Sequence, residues 1–169
     1  MARPKGADLA FAAFFAFALW GNATVDLFMG LDIDLRTTGW SFHATVWQAG
    51  HDFDPLFLAN SAYMRWSALG TAAAFAPYYA LAVPALLRGD GLGARGSRVR
   101  RYALCYAVGM GLNMTVVLGL ELREWAGGTA LAPRWAAHYW VPVLLYWLVP
   151  ALVWRRLRRE DADDDHKQA

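Results

Sequence analysis

The sequence contains a single cysteine, Cys105, among its 169 residues. One cysteine excludes any disulfide bond within the chain. Cys105 lies inside an apolar run, where we interpret it as a structural and chemically inert thiol. Disulfide scaffolds and dithiol redox proteins are therefore excluded as classes for this chain.

The sequence also lacks the short motifs of the common soluble enzymes. It contains no G-x-S-x-G, no H-E-x-x-H and no C-x-x-C. The spaced glycines of residues 89–96 follow no predicted strand, so they do not indicate a phosphate-binding loop. The histidines lack the carboxylates at helical spacing that a metal site would need. We therefore expect neither a metal nor a cofactor.

Charged residues are scarce in four long apolar stretches. Hydrophobic residues make up 57% of the chain, which is too apolar for an ordinary soluble domain. The stretches are residues 9–29, 66–87, 102–120 and 139–154. A helix crosses a bilayer with roughly 20 apolar residues, and residues 136–138 extend the shortest stretch. The sequence predicts an all-α fold, a four-helix transmembrane bundle over residues 1–159, followed by a disordered acidic tail over residues 160–169.

Basic residues cluster in three of the five segments outside these stretches. They are Arg3 and Lys5, then Arg88, Arg95, Arg98, Arg100 and Arg101, then Arg155, Arg156, Arg158 and Arg159. The other two segments carry acidic residues and few basic ones. Because positive residues favour the cytoplasmic side, we expect both termini in the cytoplasm. The arginines thus indicate the topology of a multi-pass membrane protein, and we expect no nucleic acid as a partner.

The outer segment between the first two predicted helices, residues 31–58, is long for a membrane bundle. It carries aromatic residues among polar ones, including Trp40 and Trp47. We expect a short helix around residues 42–49 that lies at the outer interface or caps the bundle. The alternative is that the two tryptophans only anchor the chain in the aromatic belt of the membrane.

Polar side chains within the predicted spans are the candidates for a functional site. Asn22 and Asp26 are four residues apart and therefore share one helical face. An ionisable group inside a span is a functional-site hypothesis, unless Asp26 lies close enough to the interface to reach water. Asn113, in the middle of the third span, needs partners from a neighbouring helix or a ligand. Arg65 either snorkels to the interface or pairs with Asp26 or Glu121.

The fourth predicted span carries a stripe of aromatic residues. Trp140, Trp147 and Trp154 are seven residues apart, which is two helical turns, and Tyr139 and Tyr146 lie beside them. One interpretation is helix packing with two interfacial belts. The other is a wall for a flat hydrophobic ligand, whose positive charge the aromatic faces would stabilise.

Several weak motifs together resemble the EXPERA superfamily of membrane proteins, which includes the sigma-2 receptor and the emopamil-binding protein, a sterol isomerase. The residues that carry the resemblance are Leu27, Phe28, Met29, Asp54, Pro55, Leu56, Arg65, Pro77, Leu87, Arg88, Gly89, Tyr106, Val108, Glu124, Tyr146, Pro150 and Arg156. The spacing between these groups is nearly preserved, and the sigma-2 receptor is the more similar member. The resemblance implies an intramembrane cavity for a sterol-like lipid.

The resemblance also shows where this chain departs from the family. Of the two acidic residues that hold amine ligands in the sigma-2 receptor, one corresponds to Asp54 and the other falls on Gly30. Asp26, one turn earlier, is the nearby substitute. Two polar residues of the family's second span fall on Thr71 and Phe75. The composition, rich in arginine and alanine, indicates a bacterial inner-membrane relative.

These observations predict a protein that binds a sterol-like or other hydrophobic polycyclic or amine lipid. The alternatives are a membrane isomerase or cyclase that uses Asp26 and Asp54 as acid and base, and a non-catalytic assembly or trafficking partner. The expected partners are a hydrophobic small molecule or lipid and the bilayer, and we also consider a homodimer. We expect Asp26 and Asp54 to approach one another above the cavity. The candidate ligand-binding residues are Asn22, Asp26, Asp54, Thr71, Phe75, Tyr78, Asn113, Trp140, Tyr146 and Trp147.

Overall fold

The computed structural model describes residues 4–59, 61–93 and 97–168, without the side chains of residues 163–168. Over these residues the chain is helical and contains no strand. The helices are α1 Gly6–Gly30, α2 Ser41–Phe53, α3 Pro55–Leu58, α4 Ala62–Leu87, α5 Arg98–Gly127 and α6 Ala137–Gln168. Four of them, α1, α4, α5 and α6, are long and apolar enough to cross a membrane. The predicted all-α bundle of four spans is confirmed.

Side-chain caps begin several of these helices. The Ser61 hydroxyl accepts a hydrogen bond from the backbone of Met64 and begins α4, and Ser97 begins α5 in the same way through Arg100. Both bonds satisfy backbone N–H groups that lack a partner within the helix. α5 ends at Gly127, and the left-handed backbone of the next residue, Gly128 (φ 61°), closes the last turn.

The spans pack as two pairs. α1 lies along α4, and α5 lies along α6. Phe15 of α1 joins the pairs in the middle of the bundle. Its ring contacts Tyr78 and Tyr79 of α4 and Tyr106 of α5, with ring centroids 5.3 to 5.5 Å apart. These four aromatic side chains are fully buried and form the centre of the main hydrophobic core.

The first turn of α1 and the last turns of α6 lie at the arginine-rich end of the bundle, where ion pairs join α1, α5 and α6. Arg156 contacts Asp8 of α1 at 2.6 Å and Glu160 at 2.9 Å. Arg100 of α5 contacts Glu160 and Asp161, each at 2.8 Å. Residues 160–168, part of the segment expected to be a disordered acidic tail, continue α6 to Gln168, and Ala169 lies outside the described residues. The first two carboxylates of this segment are paired with arginines.

Two of the spans contain a π-helical turn. The turn Asn22–Asp26 lies in α1, the turn Thr71–Phe75 lies in α4, and the two contact each other. The second ends just before Pro77, which has no N–H to donate and whose ring crowds the carbonyl four residues earlier. Pro77 therefore accounts for the wider turn. Pro84, in contrast, lies inside α4, which continues to Leu87.

The predicted short helix after the first span is present as α2, and it caps the other end of the bundle. Its Phe42 ring lies 4.2 Å from the ring of Trp20, and its His43 ring lies 4.9 Å from that of Phe28. The backbone N–H of Arg134, just before α6, donates to the carbonyl of Phe53 at 2.9 Å. The cap is thus bound to both α1 and the segment that leads into α6.

Candidate functional site

A cavity of about 320 Å³ lies between the capped halves of the four spans. α2 and α3 cover its end through Phe42, Val46, Ala49 and Phe57. Most of its wall is apolar, with Val25, Met29, Met64, Ala68, Met110, Met114, Val117, Pro142 and Val143 among the lining residues. The cavity is therefore suited to an apolar body of small-molecule size.

The polar lining of the cavity is acidic. Asp26 of α1, Asp54 between α2 and α3, and Glu121 of α5 all line it. Within the described part of the chain, no lysine, arginine or histidine lines the cavity. Three carboxyl groups without a lining cation favour a positively charged guest, because a nearby positive charge stabilises ionised carboxylates in a poorly hydrated site.

Asp26 is held between the two π turns. Its Oδ2 lies 3.0 Å from the Thr71 hydroxyl, and the Asn22 amide donates to the backbone carbonyl of Thr71 at 2.9 Å. The Thr71 hydroxyl also lies 2.9 Å from the carbonyl of Ala68. It has one proton, so it donates either to an ionised Asp26 or to Ala68 while a protonated Asp26 donates to it. The site accommodates both protonation states of Asp26.

Asp54 is buried, with 3% of the residue exposed, at the junction of the cap and α6. Its Oδ1 accepts from the backbone of Phe57 at 3.0 Å and caps α3, and its Oδ2 accepts from the Tyr139 hydroxyl at 3.0 Å. Burial raises the pKa of the Asp54 carboxyl, and these two hydrogen bonds offset part of the rise. Asp54 is thus both a helix cap and a lining group of the cavity.

Glu121 lies near Asp54. It is 3% exposed, and its charge interacts with that of Asp54. Among the described residues, its carboxyl makes no hydrogen bond. Glu121 is therefore a carboxyl near Asp54 that the sequence analysis did not pair with it, and Asp26 lines the same cavity. A buried carboxyl without a hydrogen-bonding partner among the described residues is available to bind a ligand from the cavity.

Asn113 of α5 finds its partners on α4. Its Oδ1 accepts from the Ser67 hydroxyl at 2.9 Å and from the Tyr63 hydroxyl at 3.0 Å. Both Asn113 and Ser67 line the cavity. Partners on a neighbouring helix were one of the two outcomes open from the sequence.

Of the remaining candidate ligand-binding residues, some line the cavity and others lie in the hydrophobic core or on the surface of the bundle. Tyr146 lines the cavity, whereas Phe75 and Tyr78 belong to the hydrophobic core. Trp140 is buried and donates to the carbonyl of Arg134 at 2.7 Å. Trp147 is 45% exposed and donates to the Thr115 hydroxyl at 3.3 Å. Trp140 and Trp147 are not among the residues that line the cavity, whereas Tyr139 and Tyr146, which lie beside them on α6, are.

Two other positions of interest differ from the sequence-based expectation. Arg65 pairs with Asp32 at 2.8 Å, on the surface, rather than with Asp26 or Glu121. At Gly30, a Cβ atom would lie 2.5 Å from Cγ of Leu69. An acidic side chain at position 30 has no room here, which leaves Asp26 as the carboxyl of α1 in the cavity.

Glu121 and Tyr139 are the site residues that sequence reasoning missed. A signal for Glu121 was present, because Asn113, Val117 and Glu121 are spaced by four residues and share one helical face. All three line the cavity. Tyr139 was noted only as a neighbour of the tryptophan stripe, and its hydrogen bond to Asp54, 85 residues away, had no signal in the sequence.

Comparisons of the chain with protein families, curated proteins and solved structures find no match. In the described part of the chain, no three His, Cys, Asp or Glu side chains are grouped so that they could hold a metal ion.

Proposed function

We propose that this integral membrane protein binds a sterol-like or other hydrophobic polycyclic lipid that carries an amine. The observation that supports the proposal is the cavity, whose apolar wall carries three carboxyl groups and, within the described residues, no cation. The apolar body would lie against the methionine and valine side chains. Its ammonium group would lie between Asp54 and Glu121 or beside Asp26.

The site provides strong discrimination by charge. A buried ion pair is favourable only when the charges meet with good geometry and the remaining polar atoms are satisfied. Asp54 already has donors from Phe57 and Tyr139, whereas Glu121 has none among the described residues. An ammonium group has several N–H donors and would supply the hydrogen bonds that the Glu121 carboxylate lacks.

Access to the cavity runs through the bilayer. Phe17 and Trp20 of α1 line the cavity and are also 49% and 45% exposed on the outside of the bundle. A guest would therefore enter sideways past these aromatic side chains, from lipid and not from water. This route suits a membrane-dissolved molecule.

Membership of the EXPERA superfamily is part of the proposal. Asp54, which corresponds to a ligand-binding acid of the sigma-2 receptor, lines the cavity. The position of the other acid is Gly30, which has no room for a side chain, and Asp26 would take its role from one turn away.

Binding of a matched pair of probes tests the proposal. One probe is a fluorescent tertiary amine with a polycyclic body, and the other is its neutral amide. We expect the purified protein to bind the amine at least about tenfold more tightly, since 1.4 kcal/mol corresponds to that ratio. Equal affinities would exclude a carboxylate-anchored amine. Extraction and mass spectrometry of copurified lipids would then identify the natural occupant.

A catalytic alternative is favoured by the pair formed by Asp54 and Glu121. Two neighbouring carboxyls can divide into an acid and a base, as migration of a double bond requires. Incubation with unsaturated sterols and analysis of the products by gas chromatography tests this alternative. Product from the wild type that is lost in Glu121→Gln would support it, and unchanged substrate would rule it out for those sterols.

A further inference from the structure

One face of α5 presents polar groups to the cavity at two levels. Asn113, Val117 and Glu121 all line the cavity and are four residues apart, so they follow one another along the same face of the helix. An α-helix rises about 1.5 Å per residue, which places Glu121 about 12 Å beyond Asn113 along the helix axis. Both side chains lean toward the N-terminus of the helix, so their polar groups keep a similar spacing. The α5 wall thus carries an amide and a carboxyl with an apolar side chain between them.

Two hydroxyl groups of α4 orient the amide of Asn113. The Ser67 hydroxyl donates to its Oδ1 at 2.9 Å, and the Tyr63 hydroxyl donates to the same atom at 3.0 Å. Each hydroxyl has one proton, and both protons are directed at the carbonyl oxygen of the amide. The NH2 group of Asn113 keeps its two N–H donors, and neither of them donates to an acceptor among the described residues. The amide therefore has donors left for a guest in the cavity.

Of the three carboxyls that line the cavity, Glu121 has the greatest need of a guest. Asp26 lies 3.0 Å from the Thr71 hydroxyl, and Asp54 accepts from the backbone of Phe57 and from the Tyr139 hydroxyl. Glu121 is buried and, among the described residues, makes no hydrogen bond. Because a buried polar group ordinarily has a partner, an ammonium group in the cavity gains most by donating to Glu121.

We infer that the guest carries a hydrogen-bond acceptor, an ether, carbonyl or hydroxyl oxygen, about 12 Å from its amine on the far side of a rigid apolar body. Its ammonium group donates to Glu121, its body lies along Val117, and its oxygen accepts from the NH2 group of Asn113. The inference rests on the proposed function and narrows the ligand from an amine lipid to one with polar groups at both ends. Asn113 is then a specificity-determining residue, because a guest without the oxygen leaves the amide donors unpaired.

Four probes of equal length test the inference on the purified full chain. The first is a rigid polycyclic tertiary amine with an ether oxygen about 12 Å from the nitrogen. The second has a methylene group in place of that oxygen. The third has the oxygen about 6 Å from the nitrogen, where it would lie against Val117. The fourth is the neutral amide of the first.

We expect the wild type to bind the first probe about three- to tenfold more tightly than the second, the ratio that one hydrogen bond of ordinary net strength provides. The third probe should bind no more tightly than the second, because its oxygen is desolvated without a donor. Asn113→Leu removes the amide donors and should bring the first two probes to equal affinity. The same variant should still prefer the amine to the amide, since Glu121 is unchanged, and that preference verifies that its cavity is folded.

Thr115→Val is the matched control, because Thr115 is an exposed polar residue of α5 whose hydroxyl donates to the Gly111 carbonyl at 2.8 Å. It should keep the wild-type ratio between the first two probes.

The outcomes separate this inference from the proposed function. A preference for the amine over its amide, with equal wild-type affinities for the first two probes, would overturn the inference and leave the proposed function in place. A preference for the oxygen that persists in Asn113→Leu would overturn it as well, because another group would then donate to the oxygen. Equal affinities for the amine and its amide would contradict the proposed function itself, and with it the pairing with Glu121. The probes are compared on the wild type first, so the inference can fail there even if Asn113→Leu does not fold.

Discussion

Asp54 combines two roles that one substitution separates. Asparagine caps a helix about as well as aspartate: its Oδ1 can still accept from the backbone of Phe57, and its NH2 group can donate to the Tyr139 hydroxyl. Asp54→Asn should therefore leave thermal stability nearly unchanged at low pH, where Asp54 holds its proton. It should weaken binding of the amine probe by about 10- to 100-fold, since a hydrogen bond to a charged group contributes about 1.5–3 kcal/mol.

Asp52→Asn is the control for this prediction, because Asp52 lies in the same segment but its carboxylate is exposed and paired with His51. Its affinity for the probe should equal that of the wild type. Unchanged affinity in folded Asp54→Asn would reduce Asp54 to a helix cap. In that event Asp54→Ala should cost about 1 kcal/mol of stability and no affinity.

The raised pKa of Asp54 also predicts opposite effects of pH on stability and binding. Burial raises this pKa above the ordinary value of 3.8, so the folded state holds the proton more tightly than the unfolded state. The resulting stabilisation is fully present below pH 3.8 and is lost as the pH rises through the pKa of the folded state. As the pH rises through the same range, Asp54 becomes ionised, and the affinity of the protein for the amine probe increases.

Melting temperatures and probe affinities measured across this pH range for the wild type and Asp54→Asn check the prediction. The melting temperature of the wild type should fall relative to that of the variant as the pH rises. A wild type that gains stability relative to Asp54→Asn in that direction would contradict the assigned shift.

At the scale of elements, the contact between the two π turns is tested at Thr71. Thr71→Val keeps the shape of the side chain but removes the hydroxyl that lies beside Asp26. We expect Thr71→Val to lower the free energy of unfolding by about 1 kcal/mol, since a polar contact between two membrane helices contributes a stabilisation of this size. Thr24→Val is the control, because the Thr24 hydroxyl donates to the carbonyl of Trp20 in its own helix and, among the described residues, to no other group. Equal melting temperatures of the two variants would show that the Thr71 contact does not contribute to stability.

Gly30 provides a second test of the approach between α1 and α4. Alanine at this position would place its Cβ atom 2.5 Å from Cγ of Leu69 and 3.0 Å from its backbone nitrogen. Gly30→Ala should therefore destabilise the bundle by about 1–3 kcal/mol, the usual range for overpacking. Gly119→Ala has no atom within 4 Å of the new Cβ and should not destabilise it. Thermal unfolding in detergent measures both changes, and a Gly30→Ala variant as stable as the wild type would show that the helices can separate here.

The sequence predicted the spans well and the details of the helices less well. Long apolar runs identify membrane helices because the hydrocarbon thickness sets their length. The π turn before Pro77 follows from the chemistry of proline, whereas the turn at Asn22–Asp26 contains no proline and had no comparable signal. The end of α6 was missed because its helical continuation depends on pairing of Glu160 and Asp161 with Arg100 of another helix.

At the scale of the whole molecule, the charges are separated into two environments. At the arginine-rich end, Arg100 and Arg156 are paired with carboxylates, and these ion pairs join three of the spans. The capped half has the cavity, whose carboxyls face no lysine, arginine or histidine among the described residues. Composition alone predicts the first environment from its arginine clusters. The acidic cavity depends on contacts over long sequence separations, such as that between Asp54 and Tyr139. Of its polar lining residues, the helical periodicity of the sequence pointed to Asp26 and Asn113.

The orientation of these two ends in the membrane is the last prediction. The arginine clusters predict that the arginine-rich end faces the cytoplasm. The native Cys105 is exposed and is first replaced by serine. On that background, His51→Cys and Ala130→Cys should react with a membrane-impermeant maleimide added to intact cells or spheroplasts, because both residues are exposed at the capped end. Asp90→Cys, exposed at the arginine-rich end, should react only after the membrane is permeabilised. Reaction of Asp90→Cys in intact spheroplasts would reverse the orientation, and it would place the cavity with its three carboxyls on the cytoplasmic side.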